Sequence, residues 1–153
     1  MSPPLSIMIV EDERDLSHLY KLYLERFEID SIIFANPLLA LEHCEQNHGR
    51  YTLVLLDWGL PFMNGLELSK RIRRINSNVH ILILTGYHIK DMVVEDEFRE
   101  AEITEVLLKP IRLSDLGAHM IKLCSNKQQY LSKNTFTLPG GQNECKAHEV
   151  ASY

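Results

Sequence analysis

Three four-residue aliphatic runs stand out along the chain: Ile7-Met8-Ile9-Val10, Leu53-Val54-Leu55-Leu56 and Ile81-Leu82-Ile83-Leu84. Each is too short for a helix and gives way to acidic or turn residues, the pattern of a strand buried on both faces of a parallel sheet. Weaker runs at Ser31-Ile32-Ile33-Phe34 and over 103–108 predict two further strands. Between the strands, apolar residues take helical spacing: Leu16, Leu19, Tyr23 and Phe27; then Leu68, Ile72 and Ile75; then Leu113, Leu116, Met120 and Leu123. Asn36-Pro37 opens a helix, with Asn as the cap and Pro at the first helical position. Segment 88–100 carries only a thin apolar stripe of Val94, Phe98 and Ala101.

Five strands alternating with five helices predict an α/β fold, a doubly wound five-stranded parallel sheet. Right-handed crossovers favour the flavodoxin-like strand order 2-1-3-4-5, with the functional crevice at the carboxyl ends of the strands. The periodicity stops after Ser125. Residues 1–125 are therefore expected to form the domain. Residues 126–153, with Pro139-Gly140-Gly141, read as a polar tail or the start of a linker, poorly ordered.

Composition narrows the class without naming a chemistry. The 153 residues suit one domain. No aliphatic run approaches the roughly 20 residues of a membrane span, and the start, Met1-Ser2-Pro3-Pro4, lacks the basic and apolar regions of a secretory signal. Three scattered cysteines, Cys44, Cys124 and Cys145, follow neither a CxxC nor a zinc spacing and read as reduced thiols of a cytoplasmic protein. The seven histidines show no metal spacing. A net charge of −5 argues against electrostatic binding to nucleic acid, which relies on Lys and Arg displacing counterions.

Chemistry should then be sought just after each strand. Glu11-Asp12-Glu13 and Asp15 follow the first strand, Asp57 the third, Thr85-Gly86 the fourth and Lys109-Pro110 the fifth. Taken singly, each has a plain structural reading: acids complement a helix start, and an Asp after a strand often serves a turn. Taken together, the types match a phosphoryl-transfer site. Clustered carboxylates favour a divalent cation such as Mg²⁺. A carboxylate beside that cation can act as a nucleophile toward phosphorus, and an ammonium and a hydroxyl can face the charged phosphoryl oxygens. Pro110 gives the peptide bond after Lys109 access to the cis form.

In its ordered motifs the chain resembles the receiver domain of two-component response regulators. The stretches that carry the likeness are Ile9-Val10-Glu11-Asp12-Glu13, 55–65 (with Asp57-Trp58-Gly59-Leu60-Pro61), Ile83-Leu84-Thr85-Gly86 and Leu107-Leu108-Lys109-Pro110. The resemblance implies a domain that accepts a phosphoryl group from a phosphohistidine on a sensor histidine kinase or a histidine phosphotransfer protein. Such a domain is no enzyme beyond its own phosphorylation and dephosphorylation. By the same resemblance, Asp57 is the phosphoacceptor. Glu11, Asp12 and Asp57 hold Mg²⁺, with the Gly59 carbonyl as a further ligand. Thr85 and Lys109 contact the phosphoryl oxygens, and Gly59 and Tyr87 stand where receivers tune water access.

Two positions depart from the family pattern. Val106 occupies the place of a usual Tyr or Phe; it has no ring to swing and a stiff χ1. Ala101-Glu102-Ile103 replaces an Ala-Gly-Ala turn, and without glycine a left-handed helix end costs more. These departures keep open a second function, a receiver-like interaction module that works without phosphorylation. A phosphatase of the aspartate-nucleophile type would want a second Asp at Gly59, and Glu11-Asp12-Glu13-Arg14 would repel a flavin phosphate. Residues 91–105 hold seven acids against the lone Arg99, so the face spanning 91–123 is a candidate surface for a basic partner or a homodimer. Lys70-Arg71-Ile72-Arg73-Arg74 reads as dipole complement and solvated face rather than a nucleic-acid patch.

Overall fold

The computed structural model describes residues 5–86 and 95–132. Its elements alternate strictly: β1 (Ser6–Val10), α1 (Arg14–Glu25), β2 (Asp30–Phe34), α2 (Pro37–Gln46), β3 (Leu53–Asp57), α3 (Gly65–Ile75), β4 (His80–Thr85), α4 (Glu95–Glu100), β5 (Glu105–Leu108) and α5 (Leu113–Ser132). All neighbouring strands pair in parallel in the order β2-β1-β3-β4-β5. The doubly wound topology read from the strand pattern is the one observed.

The aliphatic runs are apolar throughout because both sheet faces are covered. Successive side chains alternate sides. Ile7, Ile9, Leu53, Leu55, Leu82 and Leu84 pack with Tyr20 and Leu24 of α1 and with Leu116, Met120 and Leu123 of α5. Met8, Val10, Val54, Leu56, Ile81 and Ile83 pack on the other side with Ala40 and Leu41 of α2 and Leu68 and Ile72 of α3. Each fully buried aliphatic side chain contributes roughly 1.5–3 kcal/mol of transfer free energy, so one charge in any central run would break the sheet locally.

Three elements, α1, α5 and β5, differ from the expectation. In α1 the inward face is Ser17, Tyr20 and Leu24, whereas Leu19 and Phe27 are 47% exposed. Apolar residues ring this helix, so spacing alone fits more than one stripe, and contact with the sheet chooses the one holding Tyr20 and Leu24. At α5, the helix continues to Ser132, past the expected boundary at 125. Lys127, Gln128, Gln129 and Leu131 are good helix formers even where the apolar spacing has stopped. Residues 133–153, Tyr87 and the segment holding Asp91 and Val94 lie outside the described residues. Finally, α4 is described over Glu95–Glu100, and the strand expected over 103–108 begins at Glu105 because Ile103 is used to close that helix.

The closure is a Schellman motif. Ile103 N–H donates to Phe98 O (3.3 Å) and Glu102 N–H to Arg99 O (3.0 Å), with Glu102 at φ +48°. The end of α1 repeats the device: Ile29 N–H donates to Leu24 O and Glu28 N–H to Glu25 O, with Glu28 at φ +56°. Glutamates thus occupy two positions where glycine is least strained. At the α4 end the corner is clamped from outside. Arg73 donates to the carbonyls of Glu102 (2.8 Å) and Ala101 (3.3 Å) and also to Ser77 O and Val79 O.

The charged runs also resolve. Lys70 pairs with Glu97 (2.9 Å) and Glu100 (3.6 Å), and Arg71 with Glu67 (3.0 Å), so three of the four bases of 70–74 are held within the fold. Glu105, counted from sequence among the surface acids, is instead buried and pairs with His119 on α5 (2.9 Å). Cys44 and Cys124 are both buried. No helix among the described residues is long and apolar enough to cross a membrane.

Candidate functional site

The strand registers bring the predicted residues to one edge. Val10 pairs with Leu56, Asp57 with Leu84 and Thr85 with Leu108, so Glu11, Asp57, Thr85 and Lys109 end four adjacent strands. The ladders continue just past the strand ends: Trp58 N–H donates to Leu84 O (2.8 Å) and Lys109 N–H to Thr85 O (2.7 Å). These bonds fix the backbone from which the polar side chains project.

Carboxylate oxygens of Glu11, Asp12 and Asp57 lie within 4.8 Å of one another. Glu11 is only 3% exposed, and its Oε1 accepts from Glu13 N–H (3.0 Å). Lys109 Nζ lies 2.7 Å from Asp57 Oδ1 and 3.2 Å from Glu11 Oε2. One ammonium thus bridges two of three acids, which leaves net negative charge at the edge. Three oxygen donors so close together suit a hard divalent cation, and the residues present fit Mg²⁺.

Burial pushes the Glu11 carboxyl above the ordinary carboxylate range, and the nearby Asp57 charge pushes the same way; the Glu13 amide and Lys109 pull it back only in part. For Lys109, burial pulls the ammonium down, but its contacts with Asp57 and Glu11 outweigh this and hold it above the usual lysine value. Tyr20, beneath the site, is pushed up by burial to about 12.

Gly65 explains how the loop after Asp57 closes. Its N–H donates to Trp58 O (2.9 Å), and a Cβ there would lie 2.7 Å from the Asp57 carbonyl. Only glycine allows that approach. Asn64 caps α3 by accepting from Glu67 N–H (2.9 Å), so α3 starts close behind the acceptor. Gly59 also sits beside the carboxylate, where a Cβ would be 3.7 Å from Asp57 Oδ2. Thr85 is 2% exposed, and the Lys109–Pro110 peptide bond is cis. Five of the six residues expected to carry the chemistry or hold the metal therefore border one crevice, each within reach of another, and Thr85 joins them through its backbone bond to Lys109.

Sequence reasoning missed the surroundings of Trp58. Its ring stacks on Phe98 of α4, with centroids 6.0 Å apart and planes 27° apart. The signal available in the sequence was that the single tryptophan directly follows Asp57.

The comparisons with known proteins agree with this geometry. The family described as "Response regulator receiver domain" matches residues 7–121. The chain belongs to that family. It is 35% identical over 127 residues to the cyclic di-GMP phosphodiesterase response regulator RpfG of Xanthomonas campestris, covering 82% of this chain and 33% of that protein. It is 33% identical over 91 residues to sporulation initiation phosphotransferase F of Bacillus subtilis, covering 60% of this chain and 72% of that one. A CheY-like receiver domain from Methanospirillum hungatei superposes with a TM-score of 0.75 at 22% identity, covering 83% of this chain and 98% of that chain. The chain spans a third of RpfG and 60% of the response regulator RppA of Synechocystis.

Proposed function

We propose that this receiver domain takes a phosphoryl group onto Asp57 from a phosphohistidine partner, in a Mg²⁺-dependent reaction, and thereby changes its interaction surface. The observation that carries the reading is the bridging of Asp57 Oδ1 by Lys109 (2.7 Å) beside a three-carboxylate cluster. An Asp57 oxygen attacks phosphorus; the phosphorus–nitrogen bond to the donor imidazole breaks, and its electron pair leaves with that ring. Lys109 and Thr85 then face the charge on the phosphoryl oxygens. Glu11, Asp12, Asp57 and the Gly59 carbonyl would hold Mg²⁺, which when bound supplies charge neutralisation between carboxylates and phosphate. The chain acts on itself and turns over no other substrate.

The donor is a sensor histidine kinase or a histidine phosphotransfer protein, and a relative named as a phosphotransferase supports phosphoryl handling. We place the domain in the cytoplasm, where such donors present their histidines. Output would pass through the face spanning 91–123, to a basic partner or a second copy. Asp96, Glu97, Glu100, Glu102 and Asp115 are its exposed acids among the described residues, although Lys70 already neutralises part of them. Residues 1–125 are the signalling unit in this reading, and 126–153 a polar tail or the start of a linker. Incubation with Mg²⁺ and a small acyl phosphate, comparing wild type with Asp57→Asn, tests the proposal.

A further inference from the structure

The residue after the acceptor touches the helix that borders the output face. Trp58 is tied to the site by its own backbone: its N–H donates to Leu84 O (2.8 Å), and Leu84 precedes Thr85. Trp58 is thereby coupled to the strand end that carries Thr85. The ring of Trp58 in turn lies on Phe98, 6.0 Å between centroids. Phe98 is the residue whose carbonyl accepts the closing bond of the α4 cap from Ile103. Both rings pack against the same buried cluster as Val106 and Ile83.

Among the described residues, the other fastenings of α4 differ in kind. Lys70 reaches Glu97 and Glu100 through side chains at the surface, where ion pairs are weak. Arg73 holds carbonyls at the far corner, Ala101 and Glu102. Neither touches the acceptor loop. The Trp58–Phe98 contact does, and a stacked pair favours a defined offset, so displacing one ring biases the other. Val106, on β5 in that cluster, offers a short branched side chain with no ring to carry a displacement.

We propose that Trp58 and Phe98 form the relay by which the state of Asp57 sets the position of α4. Both are positioning residues: neither contacts the phosphoryl group, and each acts through its neighbour. The relay rests on the phosphoacceptor reading above, and the experiment separates the two. Phosphorylation of Asp57 is followed by intact mass. The α4 response is followed by hydrogen exchange of amides 96–101 and by the emission of Trp58, the only tryptophan, with and without Mg²⁺ and beryllofluoride as the phosphoryl mimic.

In wild type, the mimic is expected to change α4 exchange by about threefold or more and to shift the Trp58 emission. Phe98→Leu should keep phosphoryl uptake within about twofold of wild type while losing the α4 response, and Phe98→Tyr should restore it. Trp58→Phe, which keeps a ring, should retain the exchange response. An undiminished α4 response in Phe98→Leu, or none in wild type that takes up phosphate, overturns the relay. No uptake by wild type overturns the phosphoacceptor reading and the relay with it.

Discussion

Lys109 Nζ sits 2.7 Å from Asp57 Oδ1 while its other carboxylate contact, to Glu11 Oε2, is longer at 3.2 Å. The two residues come from different strand ends, β3 and β5, with β4 between them. The ammonium therefore spans the width of the crevice, and a phosphoryl oxygen on Asp57 would meet it without any large motion. Lys109→Ala should lower the rate of phosphoryl uptake by about 10²-fold, the scale set by removing one preorganised charge donor. Single-turnover labelling with a small acyl phosphate measures it, and a rate within a few-fold of wild type would remove Lys109 from the chemistry.

Proton and metal compete for the acidic cluster. With its native carboxyl above the ordinary 4.5, Glu11 adds stability that is fully present below that value and lost as pH rises through the raised native one. At neutral pH the ionised Glu11 costs stability, and a bound cation offsets that cost. Millimolar Mg²⁺ should thus raise the melting temperature more at about pH 7.5 than at about pH 5. Asp12→Ala should abolish most of the rise. Melts that gain equally from Mg²⁺ at both pH values would contradict the assignment.

Two glutamates in left-handed positions give a stability test independent of function. Glu28 (φ +56°) and Glu102 (φ +48°) each hold a conformation that costs a non-glycine residue roughly 1–2 kcal/mol. Part of the gain on replacement returns as entropy of the unfolded chain. Glu28→Gly and Glu102→Gly should each stabilise the domain by about 0.5–1 kcal/mol in urea unfolding. The Arg73 bonds to the 101–102 carbonyls are backbone contacts and survive the second substitution.

Buried groups that are neutral in the fold set the alkaline limit. Burial pushes the Cys44 thiol from 9.0 up to about 11 and the Tyr20 hydroxyl from 10.0 up to about 12. The unfolded chain loses these protons first, so stability is whole below pH 9 and falls as pH rises through the 9–11 window for Cys44 and 10–12 for Tyr20. The unfolding free energy from urea melts should drop across that range, by an amount on the order of 2 kcal/mol for Cys44. Cys44→Ala should flatten the lower part of the slope.

The sheet was legible because parallel strands buried on both faces leave continuous aliphatic runs, and those runs at 7–10, 53–56 and 81–84 fall inside β1, β3 and β4. The convergence of Glu11, Asp57, Thr85 and Lys109 on one edge was legible for a related reason: each closes or follows a strand run, and neighbouring parallel strands end side by side. What could not be read depends on contacts between elements. Leu19 and Tyr20 of α1 are both apolar enough to face inward, and the sheet buries Tyr20. Glu105 looks like one more acid in a charged stretch, yet it lies under α5 against His119. Arg73 and Trp58 gain their roles from carbonyls and a ring on α4, far along the chain.

Labelling of Asp57 tests the central claim most directly. Wild type incubated with Mg²⁺ and a small acyl phosphate should gain one phosphoryl mass that is acid-labile and released by hydroxylamine, and Asp57→Asn should gain none. Absence of that mass on wild type, or equal labelling of Asp57→Asn, would contradict the account and leave the domain as an interaction module that works without phosphorylation.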